Sequence, residues 1–174
     1  MATAQLTLRP MTEDDLATFR GWLGQPHFAR WFLQDATAEH EVDERRASLA
    51  AGSATHALMA ELDGRAVAWT QWYRWADYPD EAMHYDALPG EVGIDYGIGD
   101  PADIGRGIGT ALIEALVLHV RRVLPGAGVL VGPSAANAAS CRVLEKNGFT
   151  VVDVRDLPGE PNASPLALYR LASE

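Results

Sequence analysis

The segment Ile104-Gly-Arg-Gly-Ile-Gly-Thr110 falls between a stretch of strand character and a helical stripe, and no other stretch constrains the chain so tightly. Its glycines permit a tight turn. The backbone N–H groups of such a turn, together with the start of the following helix, form a cradle of the kind that holds a pyrophosphate. It is not a Walker loop, because no Gly-Lys-Ser/Thr follows at the required place. Nor is it a dinucleotide fingerprint, because it follows a mid-chain strand in a mixed sheet. Taken alone, the segment also fits a plain glycine turn opening a helix.

The surrounding pattern supplies the context. Residues 5–10 alternate Leu6 and Leu8 with polar neighbours as a strand ended by Pro10, and Thr12 with Asp15 starts a helix whose stripe is Leu16, Phe19, Trp22 and Leu23. Gly24 and Pro26 stop it; residues 27–32 predict a short helix and residues 38–51 another. Residues 55–62 and 66–73 flank Asp63-Gly64 as an antiparallel hairpin. Residues 75–90 read as a long acidic, aromatic loop of the kind that carries function. Strands at 91–98, 129–131, 150–154 and 166–171 then alternate with helices at 108–123 and 137–147. This order predicts one α/β domain over residues 1–174 with a mixed sheet, its substrate half at about 1–100 and its cofactor half at about 101–154.

Composition narrows the function classes. Cys141 is the sole cysteine, so an intrachain disulfide and a cysteine-based zinc site are excluded, and the five histidines show no helical pair at metal-ligand spacing. No metal is expected. No run approaches the roughly 18 apolar residues of a membrane span, and Met1-Ala-Thr-Ala-Gln lacks a leader pattern, so the expectation is a cytoplasmic protein without a membrane partner. The formal charge of −10, from 24 acidic against 14 basic residues, disfavours a nucleic-acid partner and suits a cationic one. Residues 75–105 contain no Lys or Arg, while Asp77, Asp80, Glu81, Asp86, Glu91, Asp95, Asp100 and Asp103 all fall there.

One strand and one helix after the glycine turn comes Asn137-Ala-Ala-Ser-Cys-Arg-Val-Leu-Glu-Lys-Asn-Gly-Phe149. The pair resembles the acetyl-coenzyme A loop of the GNAT superfamily, followed by its Asn-containing helix ending in Glu-Lys-x-Gly-Phe. Within that superfamily the chain resembles the bacterial aminoglycoside 6′-N-acetyltransferases over nearly its full length. The segments that carry this are Leu8-Arg-Pro-Met-Thr-Glu-Asp-Asp-Leu16, residues 27–31, Asp63-Gly64 with Trp69-Thr-Gln-Trp-Tyr73, Gly93-Ile-Asp95 and Pro133-Ser134. The resemblance implies the GNAT fold, a central and mostly antiparallel sheet with splayed strands flanked by helices. It also implies acetyl-CoA as co-substrate, held by Ile98, Gly105, Arg106, Gly107, Ile108, Gly109, Thr110, Asn137 and Ser140. Three positions depart from the pattern: Ile104 replaces Gln or Arg, Leu144 replaces a Tyr that would protonate the departing thiolate, and Gly132 replaces an acidic residue.

Acetyl transfer to nitrogen requires a neutral amine, so an ammonium substrate needs a proton acceptor nearby. The resemblance points to Asp95 as that catalytic base, and strand alternation puts it on one face with Glu91 and Gly93, opposite Ile94 and Tyr96. A backbone N–H near Asp95 is expected to polarise the thioester carbonyl, with solvent protonating the thiolate. Cys141 reads as a packing residue, since no base partner is evident. Trp31, Trp69, Trp72, Tyr73, Trp75, Tyr78 and Tyr85 supply aromatic faces suited to sugar rings and ammonium groups. By resemblance Gln71 and Tyr73 line the sugar pocket, and Trp31, Asp80 and Glu91 complete the substrate-binding candidates. The implied partner is an aminoglycoside acetylated at its 6′-amine, acted on by a monomer or homodimer. Two alternatives stay open: acetylation of another amine, such as a polyamine, a siderophore precursor or a protein terminus, and a non-catalytic coenzyme A-binding domain.

Overall fold

The computed structural model describes residues 5–159 and 164–174; four of the five residues behind the leader expectation, 1–4, lie outside it. The chain runs β1 (Leu6–Pro10), α1 (Leu16–Leu23), α2 (Pro26–Phe32), α3 (Ala38–Ser48), β2 (Thr55–Leu62), β3 (Arg65–Arg74), α4 (Pro79–Tyr85), β4 (Val92–Ile98), α5 (Ile108–Val123), β5 (Val129–Val131), α6 (Ala138–Lys146), β6 (Thr150–Arg155) and β7 (Leu166–Leu171). Among the described residues seven strands form one sheet in the order β1-β2-β3-β4-β5-β7-β6. Every pairing is antiparallel except β4 with β5.

Local chemistry accounts for most boundaries. Asp63 (φ 52°) and Gly64 (φ 78°) both take positive φ, the geometry that lets two residues close the β2–β3 hairpin with the correct twist. Asp15 accepts from the Thr12 backbone N–H at 2.8 Å, and both guanidinium nitrogens NH1 and NH2 of Arg9 reach its carboxylate at 2.7 and 2.8 Å. That pair ties the start of the first helical segment to the end of β1.

Residues 75–90 are not the loop their composition predicts. A 3-10 turn at Trp75–Asp77 leads into α4, with Pro79 in the first turn, where its missing N–H costs nothing. Seven residues give too few repeats for a helical stripe to show. The segment is held instead by the burial of Trp75 with Leu130, Leu157, Leu166 and Leu168, against which Ala82, Tyr85 and Ala87 pack.

Further hydrophobic clusters cover both faces of the sheet. On one side Ile113, Leu116, Val117 and Val120 of α5 pack with Leu144 of α6 and with Leu58, Trp72, Ile94 and Tyr169 from the strands. On the other, Phe19, Leu23 and Phe28 from α1 and α2 meet Met59 and Trp69. Pairing between β4 and β5 is confined to Val92 opposite Val129. The Gly128 carbonyl accepts from the Val92 N–H, so alternation turns the Leu130 carbonyl toward β4 as well, but it accepts from Trp75 Nε1 at 3.2 Å instead. Beyond Val92 the two strands part, and a gap opens in mid-sheet.

Candidate active site

Because Val92 turns its N–H toward β5, bonding the Gly128 carbonyl at 3.0 Å, alternation directs the N–H and C=O of Ile94, Tyr96 and Ile98 the same way, into the gap. On the opposite edge the Asp95 carbonyl faces β3, accepting from the Thr70 hydroxyl at 2.7 Å. The parting of β4 from β5 thus supplies backbone donors aimed at a cavity, which is what a thioester carbonyl requires for polarisation.

A cavity of about 460 Å³ lies along the start of α5 and the outer face of α6. Gly107 (φ 79°) is the residue before α5 and no side chain caps that helix, so its first N–H groups are left to whatever occupies the cavity. Of the residues expected to hold the cofactor, Ile98, Gly105, Gly107, Gly109, Thr110, Asn137 and Ser140 line it. Arg106 and Ile108 do not: the Arg106 guanidinium bonds Asp103 at 2.9 Å, and Ile108 is buried under the sheet with Leu112. Arg142 and Lys146 also line the cavity and bring positive charge to it. They lie one helical turn apart on α6, a pairing that shows only once the helix face is known. Asn147 binds the two walls together, donating to Thr110 O at 3.2 Å and Val143 O at 2.9 Å. His27 Nε2 donates to the Ile98 carbonyl at 2.9 Å.

On the far side of β4 two adjoining hollows of about 290 and 270 Å³ share Tyr73, Trp75, Tyr85 and Asp95 in their walls. Gln71, Tyr78, Thr55, Glu44 and Glu81 complete the second. Trp31 lines the first hollow and the cofactor-side cavity alike, as do Phe32, Tyr96, Asn137 and Ser140. Here the Tyr96 and Ser140 hydroxyls meet at 2.5 Å.

Asp95 stands at the centre. Gln71 Nε2 donates to its carboxylate at 2.7 Å, and the Gln71 amide oxygen is fixed in turn by the buried Arg45 guanidinium, which lies over the Trp69 ring. Enclosure pushes the Asp95 carboxyl above its usual range, while the Gln71 bond and the Arg45 charge pull it back. The result is a carboxylate with raised proton affinity facing a hollow, the property a general base needs. Glu41 on α3 is likewise pushed up, chiefly by burial, with Arg45 opposing.

The remaining acidic residues disperse. Asp103 is held by Arg65 at 2.8 Å and by Arg106, Asp86 by Arg155 at 2.7 Å, and Glu91 by Arg170 at 2.6 Å with a further bond from the Leu88 N–H. Glu91 lines a separate cavity at the other end of the sheet, and Asp80 is exposed on α4 outside the hollows, so neither joins Asp95. Negative charge at the hollow comes instead from Asp95 and Glu81 with Glu44, which lies outside the acidic stretch. Trp72 is buried in the core on the α5 side of the sheet and Trp69 in the core beneath α1 and α2. Leu144 is fully buried, and Cys141 packs against the α5 core. At Gly132 a Cβ would lie 2.9 Å from both Leu168 and the Tyr85 ring, so Tyr85 occupies the space a larger residue would need.

Residues 11–157 match the family described as the acetyltransferase (GNAT) domain. Aminoglycoside N(6′)-acetyltransferase type 1 of Klebsiella pneumoniae is 29% identical over 147 residues, 83% of this chain and 73% of that protein, and the Serratia marcescens protein of that name matches equally. The crystal structure of aminoglycoside acetyltransferase AAC(6′)-Ib in complex with coenzyme A superposes with a TM-score of 0.82 at 27% identity, covering 97% of this chain and 95% of that one. The complex with coenzyme A and kanamycin gives 0.80 at 28% identity, over 97% and 95%. The family match spans most of the chain and the superpositions share its fold, so the chain belongs to the GNAT acetyltransferase family.

Proposed function

We propose that this protein transfers the acetyl group of acetyl-CoA directly to an amine of an aminoglycoside, the 6′-amine, in the cytoplasm where that co-substrate is made. The observation that carries the reading is the position of Asp95. Its carboxylate, of raised proton affinity, faces two adjoining aromatic hollows, of which one bears Glu44 and Glu81 and the other meets the glycine-lined cavity across β4. Carboxylates and aromatic faces together suit a sugar carrying several ammonium groups. The AAC(6′)-Ib structures, solved with coenzyme A and kanamycin, have the same fold over nearly the whole chain.

In this reading the α5 N-terminus and the glycine turn hold the pyrophosphate, with Arg142 and Lys146 beside it. Asp95 removes the ammonium proton, the freed nitrogen attacks the thioester carbon, and the N–H groups of Ile94 and Tyr96 face the oxygen on which charge develops. Most of the rate then comes from holding the two reactants together, with no covalent enzyme intermediate. The test is incubation with acetyl-CoA and a panel of aminoglycosides, following thiol release and mapping the acetylated nitrogen by mass spectrometry and NMR. Turnover with kanamycin-type substrates is expected. Turnover of simple polyamines or peptide termini alone would transfer the reading to another amine, and coenzyme A binding without any turnover would leave a binding domain.

A further inference from the structure

We infer that the Tyr96 hydroxyl, steadied by Ser140, delivers the proton to the departing thiolate of acetyl-CoA; the inference rests on the acetyltransferase reading above. The reacting carbon must touch the amine on the Asp95 side and the cofactor on the glycine side, so the carbon–sulfur bond breaks where the two cavities meet. The residues common to both walls are Trp31, Phe32, Tyr96, Asn137 and Ser140. Of these five only Tyr96 and Ser140 carry a hydroxyl. A phenol, ordinarily near pKa 10, is close enough to a thiol, near 8.5, to exchange a proton with it, whereas an alkyl alcohol is far too weak an acid.

Local structure fixes the phenol in place. Tyr96 Oη lies 2.5 Å from Ser140 Oγ, and the Ser140 backbone N–H donates to Asn137 Oδ1 at 3.2 Å, so the hydroxyl is tied to the first turn of α6. Other candidates point elsewhere. Tyr73 and Tyr85 line the amine-side hollows but not the glycine-lined cavity, Tyr169 donates to Glu145 at 2.7 Å, and Leu144 has no proton to give. Burial pushes the Tyr96 phenol well up, which keeps it protonated throughout the working range. A thiolate released into the same enclosure is disfavoured for the same reason, so the match between donor and acceptor survives burial.

The step balances as follows. The amine lone pair forms the C–N bond, and the carbonyl pair moves to oxygen. The carbonyl then re-forms as the C–S bond breaks with its pair on sulfur, and the Tyr96 proton passes to sulfur to give the thiol. The ammonium nitrogen sheds two protons: Asp95 has taken the first before attack, and the second passes from the C–N adduct to water. After product release Asp95 gives its proton to water and the Tyr96 oxygen regains one from water, leaving amide, thiol and one released proton.

The experiment follows thiol release by the intact enzyme with the amine acceptor and measures coenzyme A affinity by calorimetry. Tyr96→Phe is expected to lower kcat by about 100-fold, leaving KM for both substrates and the affinity for coenzyme A within twofold of wild type. Ser140→Ala should lose less, since the phenol remains. Replacing Tyr96 with 3,5-difluorotyrosine, a more acidic phenol of nearly the same shape, should move the alkaline fall of kcat to lower pH, a change that a packing role would not produce. A Tyr96→Phe enzyme with kcat within threefold of wild type, or an alkaline limb unmoved by the fluorinated residue, overturns the assignment. Absence of thiol release by the wild-type protein with every amine offered would instead defeat the acetyltransferase reading itself.

Discussion

Gly93, in the Gly-Ile-Asp run of β4, lies opposite Tyr73 in the β3–β4 register. A Cβ there would fall 2.4 Å from both Cε2 and Cζ of the Tyr73 ring and 2.6 Å from its hydroxyl. Carbon contacts are comfortable at about 3.5 Å, so Gly93→Ala forces the ring back by about 1 Å. It has little room to withdraw, because it packs edge-on against Trp75 and Tyr78, with centroids 5.3 and 5.2 Å away. Overpacking of this kind costs about 1–3 kcal/mol, equivalent in a chain of this size to a fall in Tm of roughly 2–12 °C. Since Tyr73 lines both amine-side hollows, an ångström of displacement should also cut kcat/KM for the amine by up to about 100-fold, with coenzyme A affinity unchanged. The decisive assay is a double-mutant cycle read by thermal denaturation and steady-state kinetics. Once Tyr73→Ala has removed the ring, Gly93→Ala should become neutral or stabilising by about 0.5–1 kcal/mol, the ordinary gain of Ala over Gly within a strand. If Gly93→Ala costs the same in both backgrounds, the close approach of Tyr73 is not the reason for glycine at this position.

Asp95→Asn should lower kcat by about 100-fold or more with coenzyme A affinity intact; full activity rejects Asp95 as the base. The wild-type acid limb of kcat/KM should lie above the ordinary carboxylate range, because activity is lost as pH falls through a raised pKa that enclosure sets against Gln71 and Arg45, with Glu41 nearby. Its folded pKa exceeds the unfolded one, so ionisation of Asp95 costs stability as pH rises through that interval, and Asp95→Asn should raise Tm at neutral pH; an unchanged or lower Tm contradicts this. Asp103 is the opposite case. The Arg65 bond lowers its pKa first of all, so its contribution is present above the unfolded value and fades as pH falls through the folded one. Asp103→Asn should cost roughly 1–2 kcal/mol at pH 7, the low end for bonds to partners that are half exposed, and should weaken coenzyme A binding by loosening the glycine turn. A Tm deficit that persists undiminished at acid pH would reject that account. Leu144→Tyr places a phenol in a fully buried site and should lower stability by about 1–3 kcal/mol without raising kcat; a faster enzyme would show that position 144 reaches the thiolate after all.

The sequence was legible where one residue type decides one local geometry. Asp63-Gly64 closes the hairpin, the α5 stripe forms the core, and Gly105 and Gly107 take positive φ beside the cofactor-side cavity. Charge was less legible, because the acidic density of residues 75–105 says nothing about where the arginines come from. Arg65, Arg155 and Arg170 lie far along the chain, and each neutralises a carboxylate that composition alone assigns to the substrate. Arg45 was missed for the converse reason. Within α3 it reads as one of several surface cations, and only the meeting of α3 with β3 shows it buried over Trp69 and turning the Gln71 amide toward Asp95.

Strand alternation is the sharpest case, since it sets Asp95, with Glu91 and Gly93, on the face of β4 opposite Ile94 and Tyr96. Alternation describes a strand paired on both edges, where each face is closed by its own layer of helices. Beyond Val92 the β5 edge of β4 is open, so the two faces connect through the gap and both side chains line the same cavity, along with Ile94. At the gap the Leu130 carbonyl, which would face β4, is taken by the Trp75 indole N–H, and nothing in the β4 sequence announces it. That opening makes direct transfer feasible: an amine from the acidic side and a thioester from the glycine side can meet through the sheet only where a strand has let go of its neighbour.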